Sequence, residues 1–157
     1  MNKIAKFEKV SKEQYEKDSD VLAYEEIVLP KRATKGSAGY DFFMPFNLVL
    51  APKEEIKICT GVRCKIDEGW VLKIYPRSSL GFKYRMGLCN TVGIIDSDYY
   101  NALNEGHIQI KIVNNGDKVL EIEKGKAFAQ GIFLEYGITI DDEASEERTG
   151  GFGSSDK

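Results

Sequence analysis

The sequence predicts an all-β fold, and three observations lead to that prediction. Short apolar runs with a period of two recur along the chain, turn residues separate them at short intervals, and no long helix is indicated. The clearest run is 108–112, where isoleucines alternate with Gln109 and Lys111 as in a strand with one buried face. Many short strands of this kind are typical of a sandwich, a jelly roll or a barrel, and the pattern leaves all three open.

The N-terminal extension, residues 1–20, is predicted to contain one strand and one helix. Residues 3–10 alternate loosely, as expected for an edge strand. The spacing of Ser11 and Gln14 fits a capping box, which predicts a short helix of about two turns. Because Tyr15 is almost the only apolar residue on this helix, we expect the helix to be peripheral.

The β pattern begins at Ile27, and a loop rich in small residues follows at 30–39. Turn residues such as Asp67-Glu68-Gly69 then separate the apolar runs from one another. Seven runs are predicted as strands: 47–50, 55–59, 61–66, 70–75, 108–113, 118–122 and 127–134.

The stretch 87–100 is predicted as a hairpin of two short strands with a bend at Val92 and Gly93. Gly93 has no side chain, so it lets two backbones, or a backbone and a flat ligand, come close together. The polar residues at the mouth of the hairpin are Asp96, Asp98 and Tyr99. Backbone amides with a carboxylate at the rim suit a planar ligand and a water to be activated, although a hairpin with a polar turn is the alternative.

Length and composition indicate one globular domain. The chain has 157 residues, of which 42% are apolar and 30% charged, as is ordinary for a globular protein. We expect this domain to span 1–140. Residues 141–157 turn acidic and then place glycines and serines around Phe152, so they are predicted to form a flexible C-terminal lid, with a frayed tail as the alternative.

Charge and cysteine usage exclude several classes of function. The net charge of −3 argues against direct nucleic-acid binding and against an anionic membrane surface. Three cysteines without C-x-x-C spacing and the single His107 argue against a zinc site. No apolar run approaches a membrane span and the N-terminus lacks a signal-peptide core, so a cytoplasmic protein is expected.

Five segments, taken in order, resemble the trimeric dUTP diphosphatases (dUTPases). The segments are 33–41, 76–81, 90–99, 125–130 and the Gly-Phe-Gly-Ser tail at 151–154. The resemblance implies a distorted jelly-roll, or β-clip, subunit in a homotrimer with shared active sites. It also implies Mg²⁺-dependent hydrolysis of dUTP to dUMP and pyrophosphate, which removes dUTP from the DNA precursor pool and supplies dUMP for thymidylate synthesis.

The resemblance implies a catalytic role for five residues. Asp96 matches the carboxylate that takes a proton from the water attacking the α-phosphorus. Ser78 matches the hydroxyl that contacts the oxygen between the α- and β-phosphates. Arg77 and Asp41 resemble a paired support in which Asp41 joins the metal–water network, and Gln130 matches a phosphate donor. Mg²⁺ is expected to bind triphosphate oxygens and waters, with no direct protein ligand.

The same resemblance implies the substrate-binding residues. Asn90 would bond uracil, together with backbone groups of the hairpin at Gly93 and Ile95, and Tyr99 would lie against the deoxyribose and exclude a 2′-hydroxyl. In the tail, Phe152 would stack on uracil. The other residues implied in phosphate binding and lid closure are Ser79, Arg148, Gly151, Gly153 and Ser154.

Three departures from the family pattern concern these residues. Ser79 stands where the second motif usually has glycine, and Arg148 lies one residue closer to Phe152 than in the commoner form. Residues 100–107 lengthen a link that is often short, and we expect this insertion to be a surface loop in which His107 is structural.

Two other functions stay open. A deoxycytidine triphosphate deaminase on the same fold has related motifs, but it needs a carboxylate where this chain has Lys111. A binding or regulatory module switched by nucleotide is suggested by the insertion and by the N-terminal extension.

Overall fold

The computed structural model describes residues 1–19, 21 and 23–151. The strands in this part of the chain are β1 (Ala5–Lys9), β2 (Lys31–Arg32), β3 (Tyr40–Phe43), β4 (Leu48–Leu50), β5 (Glu55–Cys59), β6 (Val62–Ile66), β7 (Trp70–Pro76), β8 (Met86–Leu88), β9 (Gly93–Ile95), β10 (Gln109–Asn114), β11 (Leu120–Ile122) and β12 (Ala127–Glu135). The helices are α1 (Lys12–Asp18) and α2 (Ser78–Tyr84), and 3-10 turns occupy Tyr24–Glu26 and Ser97–Asn101. The predicted all-β class is confirmed.

All strand pairs in these sheets are antiparallel. The largest sheet has the order β2-β3-β12-β7-β9, and a second sheet has the order β5-β10-β8. Two-stranded pairs, β1-β6 and β4-β11, complete the architecture. The long strand β12 lies between β3 and β7, and this arrangement brings residues far apart in sequence to one sheet.

The alternation that predicted β10 is reproduced in its burial. Ile110 and Ile112 are buried and Lys111 between them is exposed. The two larger sheets share one core. The largest sheet contributes Leu72, Ile74 and Phe128, and the second sheet contributes Ile110 and Ile112. Burial of apolar area is the main favourable contribution to folding, so the buried isoleucine face determines the register of β10.

Helix α1 begins where the capping residues predicted, since Ser11 Oγ accepts a hydrogen bond from the Gln14 amide at 3.1 Å. The expectation that this helix is peripheral is wrong. Tyr15 is only 1% exposed and belongs to the core, with its ring 6.1 Å from the His107 ring and 6.3 Å from the Tyr24 ring. Tyr15 therefore anchors the helix in the core, and Gln14 beside it is also buried.

Two further expectations are corrected by the fold. The segment 87–100 is not a paired hairpin, because β8 pairs with β10 whereas β9 pairs with β7 in a different sheet. Helix α2 was not predicted: none of its residues is fully buried, and the partly buried Leu80 and Tyr84 form a single i, i+4 pair, too short a pattern to indicate a helix. No helix in the described part of the chain is long and apolar enough to cross a bilayer.

Candidate active site

A cleft opens where the chain crosses from one sheet to the other, between β8 and β9. Its lining includes Ile74, Leu88, Asn90, Gly93, Ile95 and Ile108. Gly93 faces Ile74 across the β7–β9 pair, and a Cβ on Gly93 would lie 3.0 Å from the Ile74 Cβ. The close approach expected at Gly93 is therefore present, and any side chain there would push the two strands apart.

A tight turn forms the polar end of this cleft. The Thr91 amide donates to the Leu88 carbonyl at 3.0 Å, and the Val92 amide donates to the Asn90 carbonyl at 2.7 Å. Thr91 has a φ of 68°, a left-handed conformation that costs a β-branched residue about 1–3 kcal/mol. Such strain persists where the surroundings require one backbone geometry, and here it fixes the turn that presents Asn90.

Asp96 follows the end of β9 and precedes the 3-10 turn, whose Tyr99 amide donates to the Asp96 carbonyl at 3.2 Å. Its side chain is 49% exposed, so water can reach the carboxylate. Arg148 donates to Asp96 Oδ2 at 2.7 Å and to Asp98 Oδ1 at 2.8 Å. The C-terminal segment thus lies against the carboxylates of its own chain.

Tyr99 is almost fully buried, at 2% exposure. Its hydroxyl donates to the His107 carbonyl at 2.6 Å and accepts from Asn104 Nδ2 at 2.9 Å. The Arg148 guanidinium lies 5.8 Å from the centre of the Tyr99 ring. Burial raises the pKa of the Tyr99 hydroxyl, which keeps it protonated and able to donate.

His107 is fully buried, and its ring is held at both nitrogens. Nε2 accepts from the Gly61 amide at 2.8 Å, so Nδ1 carries the proton and donates to Asp18 Oδ2 at 2.6 Å. Burial lowers the pKa of His107, which agrees with a neutral imidazole in this geometry. A structural His107 was expected and fits these contacts, but the insertion is not wholly a surface loop, because Ala102 and Gly106 are also buried.

A second group of site residues gathers around β12. Gln130 pairs with Asp41 on β3 and with Tyr75 on β7, and Arg77 Nη1 donates to Asp41 Oδ1 at 2.7 Å. A Cβ on Gly39 would lie 2.5 Å from Gln130 Oε1 and 3.3 Å from Gln130 Cβ, so a side chain at this position of the first motif would displace the Gln130 amide. The first residues of α2, Ser78 and Ser79, are exposed.

The dUTPase family model matches residues 25–156, most of the chain. The chain belongs to the dUTPase family. The deoxyuridine 5′-triphosphate nucleotidohydrolase of Lactococcus lactis subsp. lactis (strain IL1403) is 44% identical over 131 residues, which cover 82% of this chain and 87% of that protein. The protein of the same name from Escherichia coli (strain K12 / DH10B) is 37% identical over 138 residues, covering 83% and 88%.

Solved structures agree with this dUTPase assignment. The dUTPase of Streptococcus mutans superposes with a TM-score of 0.68 at 35% identity, covering 87% of this chain and 98% of that chain. The jelly-roll type of subunit expected from the motifs is thereby confirmed.

The dUTPase motif residues occupy two groups in this chain. Asn90, Gly93 and Ile95 line the cleft. Asp96 and Tyr99 follow β9 and are both contacted by Arg148, while Gly151 lies close to Asn104. Asp41, Arg77, Ser78, Ser79 and Gln130 form the second group. Within residues 1–19, 21 and 23–151, no hydrogen bond or ion pair joins Asp41, Arg77 or Gln130 to Asp96. Phe152, Gly153 and Ser154 lie outside the described residues.

The dUTPase motifs did not indicate two features of the site. Thr91 has the strained φ described above, and a β-branched residue at that position carries no sequence signal for it. Asn104 donates to Tyr99 from within the insertion, and it could have been noticed only as a polar residue near the third motif.

The described residues of this dUTPase do not supply the ligand set that a directly bound metal ion needs. Among them, no group of three or more His, Cys, Asp or Glu side chains could hold a metal ion. The Asp41 carboxylate is bonded to Arg77. This donor set does not form a cage for a bare ion, but it fits a cation that arrives on a triphosphate and keeps its waters.

Proposed function

We propose that this protein hydrolyses dUTP to dUMP and pyrophosphate, with Asp96 as the general base. The observation that carries the proposal is the position of Asp96, a half-exposed carboxylate that directly follows Ile95, one of the residues lining the cleft. In line with this role, a water would lose a proton to Asp96 as its oxygen bonds to the α-phosphorus. The bond from the α-phosphorus to the bridging oxygen would break, and pyrophosphate would leave.

The groups in and beside the cleft support a preference for uracil as the base and deoxyribose as the sugar. Asn90 and the backbone around Gly93 offer hydrogen-bonding groups to the polar edge of uracil, and the Ile74 side chain closes the space behind Gly93. A wrong base leaves buried polar groups of the site without partners, and this strongly lowers its turnover relative to uracil. Exclusion of the thymine methyl alone contributes about 1–3 kcal/mol to the difference in transition-state binding. Tyr99, held by two hydrogen bonds at its hydroxyl, is assigned to the deoxyribose and to the exclusion of a 2′-hydroxyl.

The phosphate end is assigned to the second group of residues. Ser78 would contact the oxygen between the α- and β-phosphates, and Ser79 and Gln130 would donate to phosphate oxygens. Arg77, fixed by Asp41, would hold the geometry of this end. From the tail, Arg148 would bind the terminal phosphate, Phe152 would stack on uracil, and Gly151, Gly153 and Ser154 would supply donors as a lid over the nucleotide.

Mg²⁺ is part of the proposal as the ion carried by the triphosphate. Bound there, it would neutralise negative charge on the phosphate oxygens, with Asp41 reached through water. Arg77 limits how far the Asp41 carboxylate can turn, because it holds Oδ1 at 2.7 Å.

We further propose a homotrimer with shared active sites, formed by a 1–140 domain and a 141–157 lid and acting in the cytoplasm. Large apolar side chains such as Val49 and Phe82 are exposed, and contacts between subunits would cover them. The two groups of site residues also lack a hydrogen bond to each other within the described chain. Inactive Asp96→Asn and Ser78→Ala proteins, refolded together, should regain turnover if each site draws these residues from different subunits. A monomer in sedimentation would refute the trimer.

The decisive experiment resolves the products formed from dUTP, UTP, dCTP and dTTP side by side. The expected result is pyrophosphate and dUMP from dUTP, with far slower turnover of the other three. Ammonia from dCTP without pyrophosphate would overturn the proposal in favour of a deaminase. Lys111, at the position where that reaction needs a carboxylate, is instead exposed and paired with Glu55 at 2.9 Å.

A further inference from the structure

The loop 102–108 joins the 3-10 turn Ser97–Asn101 to β10, and its Asn104 side chain contacts Tyr99, the residue assigned to the deoxyribose. Asn104 Nδ2 donates to the Tyr99 hydroxyl at 2.9 Å, while Asn104 Oδ1 accepts from the Gly106 amide at 3.1 Å. The Asn104 carbonyl also accepts from the His107 amide at 3.2 Å. The orientation of this amide group is therefore fixed by the loop itself, and its donor is aimed at Tyr99.

The C-terminal segment 148–151 lies on the same loop. The Leu103 amide donates to the Thr149 carbonyl at 3.2 Å. A Cβ on Gly151 would lie 3.0 Å from Asn104 Nδ2 and 3.2 Å from Asn104 Cγ. Gly151 thus approaches the Asn104 amide more closely than a residue with a side chain could do without displacing it.

The other side of the loop is anchored to the N-terminal extension. The Ser11 amide and hydroxyl donate to the two oxygens of Glu105 at 2.8 and 2.5 Å, and His107 donates to Asp18 at 2.6 Å. A side chain that positions others has to be held rigidly itself, and these contacts supply that support.

We propose that Asn104 is a positioning residue that seats the segment 148–151 at Gly151 and holds the Tyr99 ring in place for the sugar. The same amide makes both contacts, so seating of the segment and orientation of the ring are coupled. The kinetic test of this inference rests on the proposed function, because it measures dUTP turnover. The contact between Asn104 and the segment 148–151 can be measured without turnover.

The first test compares Asn104→Ala with Asn101→Ala, a matched change at an exposed asparagine three residues earlier. Loss of one hydrogen bond should lower the ratio of kcat/KM for dUTP over UTP by about 2–10-fold in Asn104→Ala. The Leu103 amide, followed by NMR hydrogen exchange, should exchange faster and approach its rate in a chain ending at residue 147. Asn101→Ala should change neither quantity. A lower melting temperature with both quantities at wild-type values would overturn the inference.

Asn104→Asp is the second variant in case Asn104→Ala does not fold. It keeps the acceptor for the Gly106 amide and removes the donor to Tyr99, so the dUTP over UTP ratio should again fall. A wild-type ratio in Asn104→Asp would count against the inference.

Two double variants test the coupling directly. Gly151→Ala should raise KM for dUTP in the wild-type background and have no further effect with Asn104→Ala, because the added methyl then has room. Asn104→Ala should leave the dUTP over UTP ratio unchanged in a Tyr99→Phe background. Additive effects in both pairs would refute the coupling. Should the wild-type chain fail to hydrolyse dUTP, the proposed function falls, and Leu103 exchange still decides whether Asn104 seats the segment.

Discussion

Arg148 donates a hydrogen bond to Asp96 at 2.7 Å, so the cation of the C-terminal segment lies on the carboxylate assigned as the general base. The same guanidinium lies over the Tyr99 ring. In this arrangement Arg148 occupies the space in front of the two residues that would receive water and sugar. Binding of a triphosphate would offer Arg148 a stronger anionic partner and release Asp96.

Arg148→Ala should therefore affect two nucleotides in opposite ways. The Kd of a non-hydrolysable dUTP analogue should rise about tenfold or more, because a charged contact to phosphate is lost. The Kd of dUMP should stay equal or fall, since dUMP lacks the terminal phosphate and the Tyr99 ring is no longer covered. Calorimetric titration measures both constants. Lys65→Ala, which removes one exposed positive charge from β6, is the control and should change neither.

Asp96→Asn should lower kcat and leave nucleotide affinity nearly unchanged. The amide keeps the shape of the side chain but cannot accept the proton of water, so kcat should fall by about 10²–10⁴. Affinity for the dUTP analogue should remain within a few-fold of wild type. Single-turnover pyrophosphate release and titration measure the two quantities. A variant with kcat near that of wild type would remove Asp96 from the role of base.

Tyr99→Ala should narrow the preference for dUTP over UTP, because the ring no longer blocks a 2′-hydroxyl. Tyr99 is buried, so the same change should lower the free energy of unfolding by about 3–5 kcal/mol. Tyr99→Phe keeps the ring and loses only the hydroxyl bonds, so this matched control should lower the preference by about 2–10-fold, as Asn104→Ala does, and far less than Tyr99→Ala. The ratio of kcat/KM values, measured on protein shown to be folded, tests this role, and equal ratios in all three proteins would contradict it.

The elements that were predicted correctly have a signal within a few residues of sequence. β10 was visible because its isoleucines share one face, and α1 because Ser11 supplies a local cap. Helix α2 has no buried residue, and its position depends on tertiary contacts such as the Arg77 amide bonded to the Phe128 carbonyl at 3.1 Å. Contacts of that kind leave no periodic pattern in the sequence.

Site residues could be predicted to lie together where they belong to one short segment of the sequence. Gly93, Asp96 and Tyr99 could be placed together because they lie within seven residues of one another. The pairing of Arg148 with Asp96 could not be foreseen, because it joins residues 52 positions apart through the path of the C-terminal segment. Family motifs assign Arg148 to a phosphate and contain no information on its partner when no phosphate is bound.

The stability of the protein should depend on pH through His107, the only histidine of the chain. Burial lowers the pKa of His107 in the folded state, whereas in the unfolded chain it is about 6.5. As pH falls below about 6.5, the unfolded chain gains a proton that the folded protein resists, so stability is lost towards acid. The limiting slope for one proton is about 1.4 kcal/mol per pH unit.

Other ionisable groups around His107 act in a different pH range. The pKa of Asp18 is lowered because hydrogen bonds from His107 and Gln14 outweigh burial, and the pKa of Glu105 is lowered because bonds from Ser11 outweigh burial. Their contributions to stability are therefore lost only below about pH 4, the range of unfolded carboxyl groups. Between pH 7 and 5, the loss of stability should come mainly from His107.

Urea unfolding at pH 7, 6 and 5 tests this assignment. The wild-type protein should lose stability progressively below pH 6.5, because the buried Nε2 accepts from Gly61 and cannot take a proton without breaking that bond. His107→Gln should be less stable at pH 7, since it loses the paired hydrogen bonds, but its stability should be nearly flat down to pH 5. A variant that keeps the wild-type slope would show that another group titrates. A flat wild-type profile would show that the fold does not lower the pKa of His107, and stability that rises towards pH 5 would show that His107 is protonated in the fold.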